Sequence, residues 1–135
     1  MKIYLAADYA RKEEMQGVRD VLSALGHIIT SQWIDRPSAI RAFGIGGARI
    51  DLKVCMEITN SNICDLRDAD MVLLFTSGEL SRGGRHTEFG MALAWKKSIC
   101  IIGPREHSFH SLPYIRQYDS WPMFLINQFQ EAFFK

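Results

Sequence analysis

Met71-Val72-Leu73-Leu74-Phe75, then a glycine-bearing loop from Ser77 to Gly84, then Arg85 to Lys97, then Ser98-Ile99-Cys100-Ile101-Ile102-Gly103, is the stretch whose reading decides the fold. The first segment is wholly apolar and bounded by Asp70 and Ser77-Gly78, as a strand covered on both faces must be. Arg85 to Lys97 carries Phe89, Met91, Ala92, Leu93 and Trp95 nearly all round, which predicts a helix buried against a sheet. Ser98 to Gly103 is a second apolar strand. Strand, loop, helix, strand is a βαβ unit with parallel strands.

Outward from that unit the alternation continues. Lys2 to Ala6 reads as a buried strand, and Arg11 to Leu25 as a helix with Met15, Val18, Leu22 and Leu25 on one face, stopped by Gly26. His27 to Trp33 reads as a strand, Asp35 to Gly47 as a loop or flap, and Ala48 to Asp68 as a helix. Ile115 to Tyr118 is a short last strand, and Ser120 caps a C-terminal helix with Pro122 in its first turn. The reading is a single α/β domain over residues 1–135, a three-layer sandwich with a four- or five-stranded parallel sheet and helices on both faces. Right-handed crossovers place the loop after every strand on one edge of the sheet, where ligands of such folds bind.

Bulk properties narrow the function. With 16 Lys and Arg against 15 Asp and Glu, the net charge of +1 argues against a partner that is a nucleic-acid polymer. Three cysteines, Cys55, Cys64 and Cys100, without a CxxC, read as reduced thiols. No apolar run is long enough for a membrane helix, and Ile3-Tyr4-Leu5-Ala6 reads as strand rather than signal peptide, so a soluble cytoplasmic protein is expected.

The unusual residues fall in the edge loops. Asp8, Tyr9 and Arg11 follow the first strand; Ser81-Arg82-Gly83-Gly84-Arg85-His86-Thr87-Glu88 follows Met71–Phe75; Gly103-Pro104-Arg105-Glu106-His107 follows the next strand. Glu88 is the leading candidate. It is expected in the first turn of its helix, where the helix dipole and Arg85 favour an ionised carboxylate. A held carboxylate can attack an anomeric carbon. The plainer reading is that Glu is favoured in any first helical turn. Gly83-Gly84 allows close backbone approach to a ligand, or simply a tight turn. Gly44-x-Gly46-Gly47 lacks the preceding strand of a dinucleotide fingerprint. His107 and His110 have HxxH spacing, but in a loop and without a third ligand, and no GxSxG nucleophile elbow is present.

These stretches resemble the nucleoside 2-deoxyribosyltransferase superfamily, which includes deoxynucleoside 5′-monophosphate N-hydrolases. The likeness is carried by Ile3–Ala6, by Ala69–Phe75, and above all by Gly83-Gly84-Arg85-His86-Thr87-Glu88-Phe89-Gly90-Met91-Ala92-Leu93-Ala94. Gly103–Glu106 and Phe109-His110-x-Leu112-Pro113 match a short subgroup of it. The resemblance implies a flavodoxin-like fold, a homodimer or larger assembly, and no cofactor or metal. It implies Glu88 as nucleophile, forming a covalent deoxyribosyl-enzyme that a second base or water resolves. Tyr4, Ala7, Asp8 and Tyr9 are then expected to hold sugar or base, with Ser81, Gly83, Gly84, Arg85 and Arg105 also lining the site. Arg82, Arg85 and Arg105 together fit a phosphate.

One departure stands out. Similar sequences carry an Asp eight residues before Asp70, where this chain has Asn62. An amide is not an acid, and Asp65, one turn on, shares its helix face. Either residue is a candidate for orienting the sugar or base. Three functions follow: transfer of a deoxyribosyl group between bases, hydrolysis of a deoxynucleoside 5′-monophosphate, or nucleotide binding without catalysis.

Overall fold

The computed structural model describes residues 1–36, 51–79 and 83–134, without the side chains of 132–134. Five strands, β1 (Lys2–Ala6), β2 (Ile28–Ile29), β3 (Met71–Phe75), β4 (Ser98–Ile102) and β5 (Arg116–Tyr118), form one sheet in the order β2-β1-β3-β4-β5, every pair parallel. Among the described residues, four α-helices flank it: α1 (Lys12–Ala24), α2 (Leu52–Asp68), α3 (Gly84–Ala94) and α4 (Trp121–Phe134). This is the flavodoxin-like α/β architecture, with five strands rather than four.

Register assigns the two faces. Tyr4 pairs with Val72, so these residues share a face, while Phe75 lies on the other. Phe75 packs on Trp121 of α4, with ring centroids 6.0 Å apart, and under the Arg11 guanidinium. Tyr4 meets Glu88 of α3 and Asp65 of α2. Hence α1 and α4 cover one face, and α2 and α3 the other. β3 is buried at every position, and β1 and β4 at four of five, as their apolar sequences require. The sheet's connectivity reverses direction between β1 and β3, so a ligand crevice is expected beyond their carboxyl ends.

Three boundaries differ from expectation by more than one residue. The second strand does not run to Trp33: it stops at Ile29, and Gln32–Asp35 forms a 3-10 turn. The edge of β1 is instead satisfied by side chains, since Leu5 N–H donates to Ser31 Oγ at 3.0 Å and Trp33 Nε1 donates to the Leu5 carbonyl at 2.7 Å. These bonds replace strand pairing and bury Trp33. The helix expected to reach Lys97 ends at Ala94, and Lys96 adopts a left-handed φ of 55° before β4. α2 begins at Leu52, with Asp51 Oδ1 accepting from Lys53 and Val54 N–H. Most of the anticipated flap, with Gly44, Gly46 and Gly47, lies outside the described residues.

Among the described residues, no helix is long and apolar enough to cross a membrane.

Candidate active site

Gly83, at φ 98°, turns the chain after β3 into α3 in a left-handed conformation that suits glycine. Thr87 closes the first turn, its N–H and its Oγ1 each 2.9 Å from the Gly83 carbonyl. Glu88 therefore opens the second turn, not the first, one turn beyond the positive end of the helix dipole.

The environment of Glu88 also differs from expectation. The residue is half-buried, but its Oε2 is sealed from water and has no hydrogen-bond partner among the described residues. Burial raises the carboxyl pKa to about 7, and the hydroxyl of Tyr4 is the opposing influence that lowers it. Arg85 does not hold Glu88 ionised, because its charge is spent elsewhere. Tyr4 is completely buried; burial first, then the neighbouring Glu88 and Asp65, raise its own pKa well above normal. Its hydroxyl interacts with Glu88 without a well-aligned hydrogen bond.

The residues expected on α2 have separate fates. Asp65 is buried and both its oxygens are taken: Oδ2 accepts from Gln32 N–H at 3.0 Å and Oδ1 from Gln32 Nε2 at 2.9 Å. It anchors the 3-10 turn below β1. Asn62, one turn earlier on the same face, keeps a buried Oδ1 without a hydrogen-bond partner among the described residues. Tyr4 Oη, Glu88 Oε2 and Asn62 Oδ1 thus bring three unsatisfied polar atoms to one face of the sheet.

Among the described residues, Arg85 is the most deeply buried charge, its side chain 1% exposed. Nε and Nη2 grip Glu106 Oε1 and Oε2 at 3.0 and 2.7 Å, and Nη2 also donates to the Glu79 carbonyl at 2.9 Å. Nη1 forms an ion pair with Asp8 Oδ1 at 2.5 Å, off the line of an aligned hydrogen bond. Burial alone would raise the Glu106 pKa, but the Arg85 hydrogen bonds and charge, helped by Gly78 N–H, bring it below the ordinary carboxylate value.

The expected phosphate cluster is therefore not assembled from Arg85 and Arg105. Arg85 is neutralised by two carboxylates. Arg105 is exposed and turned towards β5, donating to the His110 carbonyl at 3.1 Å and to Gln117 Oε1 at 3.2 Å. Ser81 and Arg82 lie outside the described residues. Ala7 is buried at the end of β1. Tyr9 packs on Trp33 and donates to the Arg36 carbonyl at 3.0 Å. Gly84 is exposed at the start of α3. No group of His, Cys, Asp and Glu among the described residues has the arrangement of a metal site.

Sequence reasoning placed Glu106 in an edge loop but gave it no task. A signal was available: Arg85 opens a helix whose later residues, Phe89, Met91, Ala92 and Leu93, are apolar and pack on the sheet, and a guanidinium buried there requires carboxylates. Asp8 and Glu106 are acids from the two neighbouring edge loops.

Over 96% of this chain and 99% of the other, the backbone superposes on the Clostridium botulinum CMP N-glycosidase BcmB with a TM-score of 0.59 and 17% sequence identity. The chain shares its fold with that N-glycosidase. No family model matches the sequence, and no curated protein matches it either.

Proposed function

We propose that this protein is an enzyme that cleaves the N-glycosidic bond of a nucleoside or nucleotide through a covalent intermediate on Glu88. The observation that carries the reading is the half-buried carboxyl of Glu88 beside the Tyr4 hydroxyl, on the sheet face where β1 adjoins β3. The ionised carboxylate attacks C1′; the C1′–N bond breaks, its electron pair leaves with the base, and the base takes a proton. Water then attacks C1′, the glutamyl ester opens, and the proton lost by water balances the one taken by the base. The Tyr4 hydroxyl holds the carboxylate as charge moves through it, and Asn62 Oδ1 is an acceptor for a sugar hydroxyl or a base amine.

The fold neighbour, a CMP N-glycosidase, supports hydrolysis as the leading outcome. The likeness of Gly83–Ala94 to deoxyribosyltransferases supports transfer to a second base as the other. The test is incubation with deoxynucleosides, ribonucleosides and their 5′-monophosphates, with and without a second base, for wild type and Glu88→Gln. Glu88-dependent base release is expected. Free sugar or sugar phosphate identifies hydrolysis, and labelled base entering nucleoside identifies transfer. Equal release by both proteins refutes the assignment. A ligand-induced rise in melting temperature without turnover reduces the protein to a binding module.

A further inference from the structure

We infer that Arg85 is a positioning residue for Glu88, locking three edge loops around that carboxylate and making no contact with substrate itself. The activity arm of its test rests on the reading of Glu88 as nucleophile; the structural arm does not. One guanidinium contacts Asp8 after β1, Glu79 after β3 and Glu106 after β4. Glu106 extends the lock, its Oε2 accepting from Gly78 N–H at 2.9 Å and its own N–H donating to His110 Nδ1 at 3.0 Å.

All these groups stand at the carboxyl edge. Arg85 lies three residues before Glu88 on α3, so the lock fixes where the start of α3 sits relative to β1. That placement sets Glu88 against Tyr4, which belongs to β1. A planar fork with five donors can make these divergent contacts; a lysine ammonium, a single point on a flexible stem, cannot. The guanidinium is also sealed from solvent and matched by two carboxylates, so it offers a substrate phosphate neither access nor net charge.

The experiment compares Arg85→Lys and Glu106→Gln with wild type. Circular dichroism checks the fold, carbon-13 NMR of the labelled Glu88 carboxyl follows its titration, and steady-state base release gives kcat and KM. In folded variants, kcat is expected to fall by about 100-fold, the cost of misplacing a reacting group by about 1 Å. KM changes far less, because substrate contacts remain. The Glu88 titration midpoint, near 7 in the wild type, moves towards the ordinary 4.5 as water reaches the carboxyl.

An unchanged midpoint with unchanged kcat in a folded variant overturns the inference. So does a rise in KM confined to phosphorylated substrates, which makes Arg85 a phosphate ligand. If Arg85→Lys does not fold, Glu106→Gln, in which Arg85 keeps its Asp8 partner, carries both readouts. If neither folds, Arg85 serves the whole fold and the inference fails. If the wild type releases no base, the glycosidic proposal falls alone, and the NMR titration decides the role of Arg85.

Discussion

Replacing Glu88 by Gln should stabilise the protein at alkaline pH while abolishing its activity. Burial raises the Glu88 pKa from 4.5 to about 7 in the folded state. The native form therefore holds its proton more tightly than the unfolded chain does. Stability from this group is fully present below the unfolded value and is lost as pH rises through the folded one. At 1.36 kcal/mol per unit, a shift of this size is worth about 3 kcal/mol. Gln has the shape of the protonated acid and does not titrate. The variant and wild type should melt together near pH 4 and diverge as pH rises, with the variant higher by about 10 °C above pH 8, given about 3 °C per kcal/mol for a domain of this size. Differential scanning calorimetry in matched buffers measures the gap, and comparison at each pH cancels every other titrating group. A gap that is constant from pH 4 to 8.5 refutes the reasoning, because Glu88 would then have an ordinary pKa.

The same shift predicts that kcat/KM for base release rises with pH through a limb near 7, read from a pH–rate profile. Tyr4→Phe should move that limb upward, since the hydroxyl lowers the Glu88 pKa, and should reduce the plateau rate. Gly103→Ala should destabilise the fold by about 3 kcal/mol or more in urea titration, at the upper end of local backbone strain. Gly103 has φ 120°, and a Cβ there would lie 2.4 Å from the Thr76 carbonyl oxygen. Arg105→Ala should leave base release from a 5′-monophosphate and the melting temperature essentially unchanged, since its exposed guanidinium faces β5. A selective loss of nucleotide turnover would return Arg105 to the site.

The central strands were legible because burial on both faces forces continuous apolar runs, and β1 and β3 fall on the residues their composition marks. The edge was not. Ile28 to Trp33 has strand composition, but what ends β2 is a pair of side chains, Ser31 and Trp33, bonding across space to Leu5. No local pattern encodes a partner 26 or 28 residues away. The site divides in the same way. Glu88 stands out through its glycine-led helix start, yet its pKa is raised by burial where the sequence implies a favoured carboxylate. Proximity of Arg85 in sequence implied a stabilising charge, whereas in space that charge belongs to Asp8 and Glu106. Asp65 has the helix position of a stand-in for an acid at Asn62, but Gln32 occupies both its oxygens. Which of several polar residues on one helix face remains free is decided by residues from other elements.

That division between satisfied and unsatisfied groups is itself the strongest physical argument for where chemistry occurs. Each buried polar atom left without a partner costs about 1–3 kcal/mol. Arg85 and Glu106, although charged and buried, are held by a nearly complete set of partners and act as scaffold. Tyr4 Oη, Glu88 Oε2 and Asn62 Oδ1 are not satisfied, and they come from β1, α3 and α2, three elements that meet on one face of the sheet. The other unpartnered buried side-chain atoms among the described residues are imidazole nitrogens of His27, His86 and His110, and Arg85 Nη1, which has its ion pair with Asp8. A hydroxyl, a carboxyl and an amide oxygen that share a sheet face complement a ligand bearing several hydroxyl or amine donors together with a carbon open to attack. On the function proposed above, that ligand is a sugar joined to a base through C1′, and the burial that disfavours the Glu88 carboxylate is what would make it reactive once the proton has left.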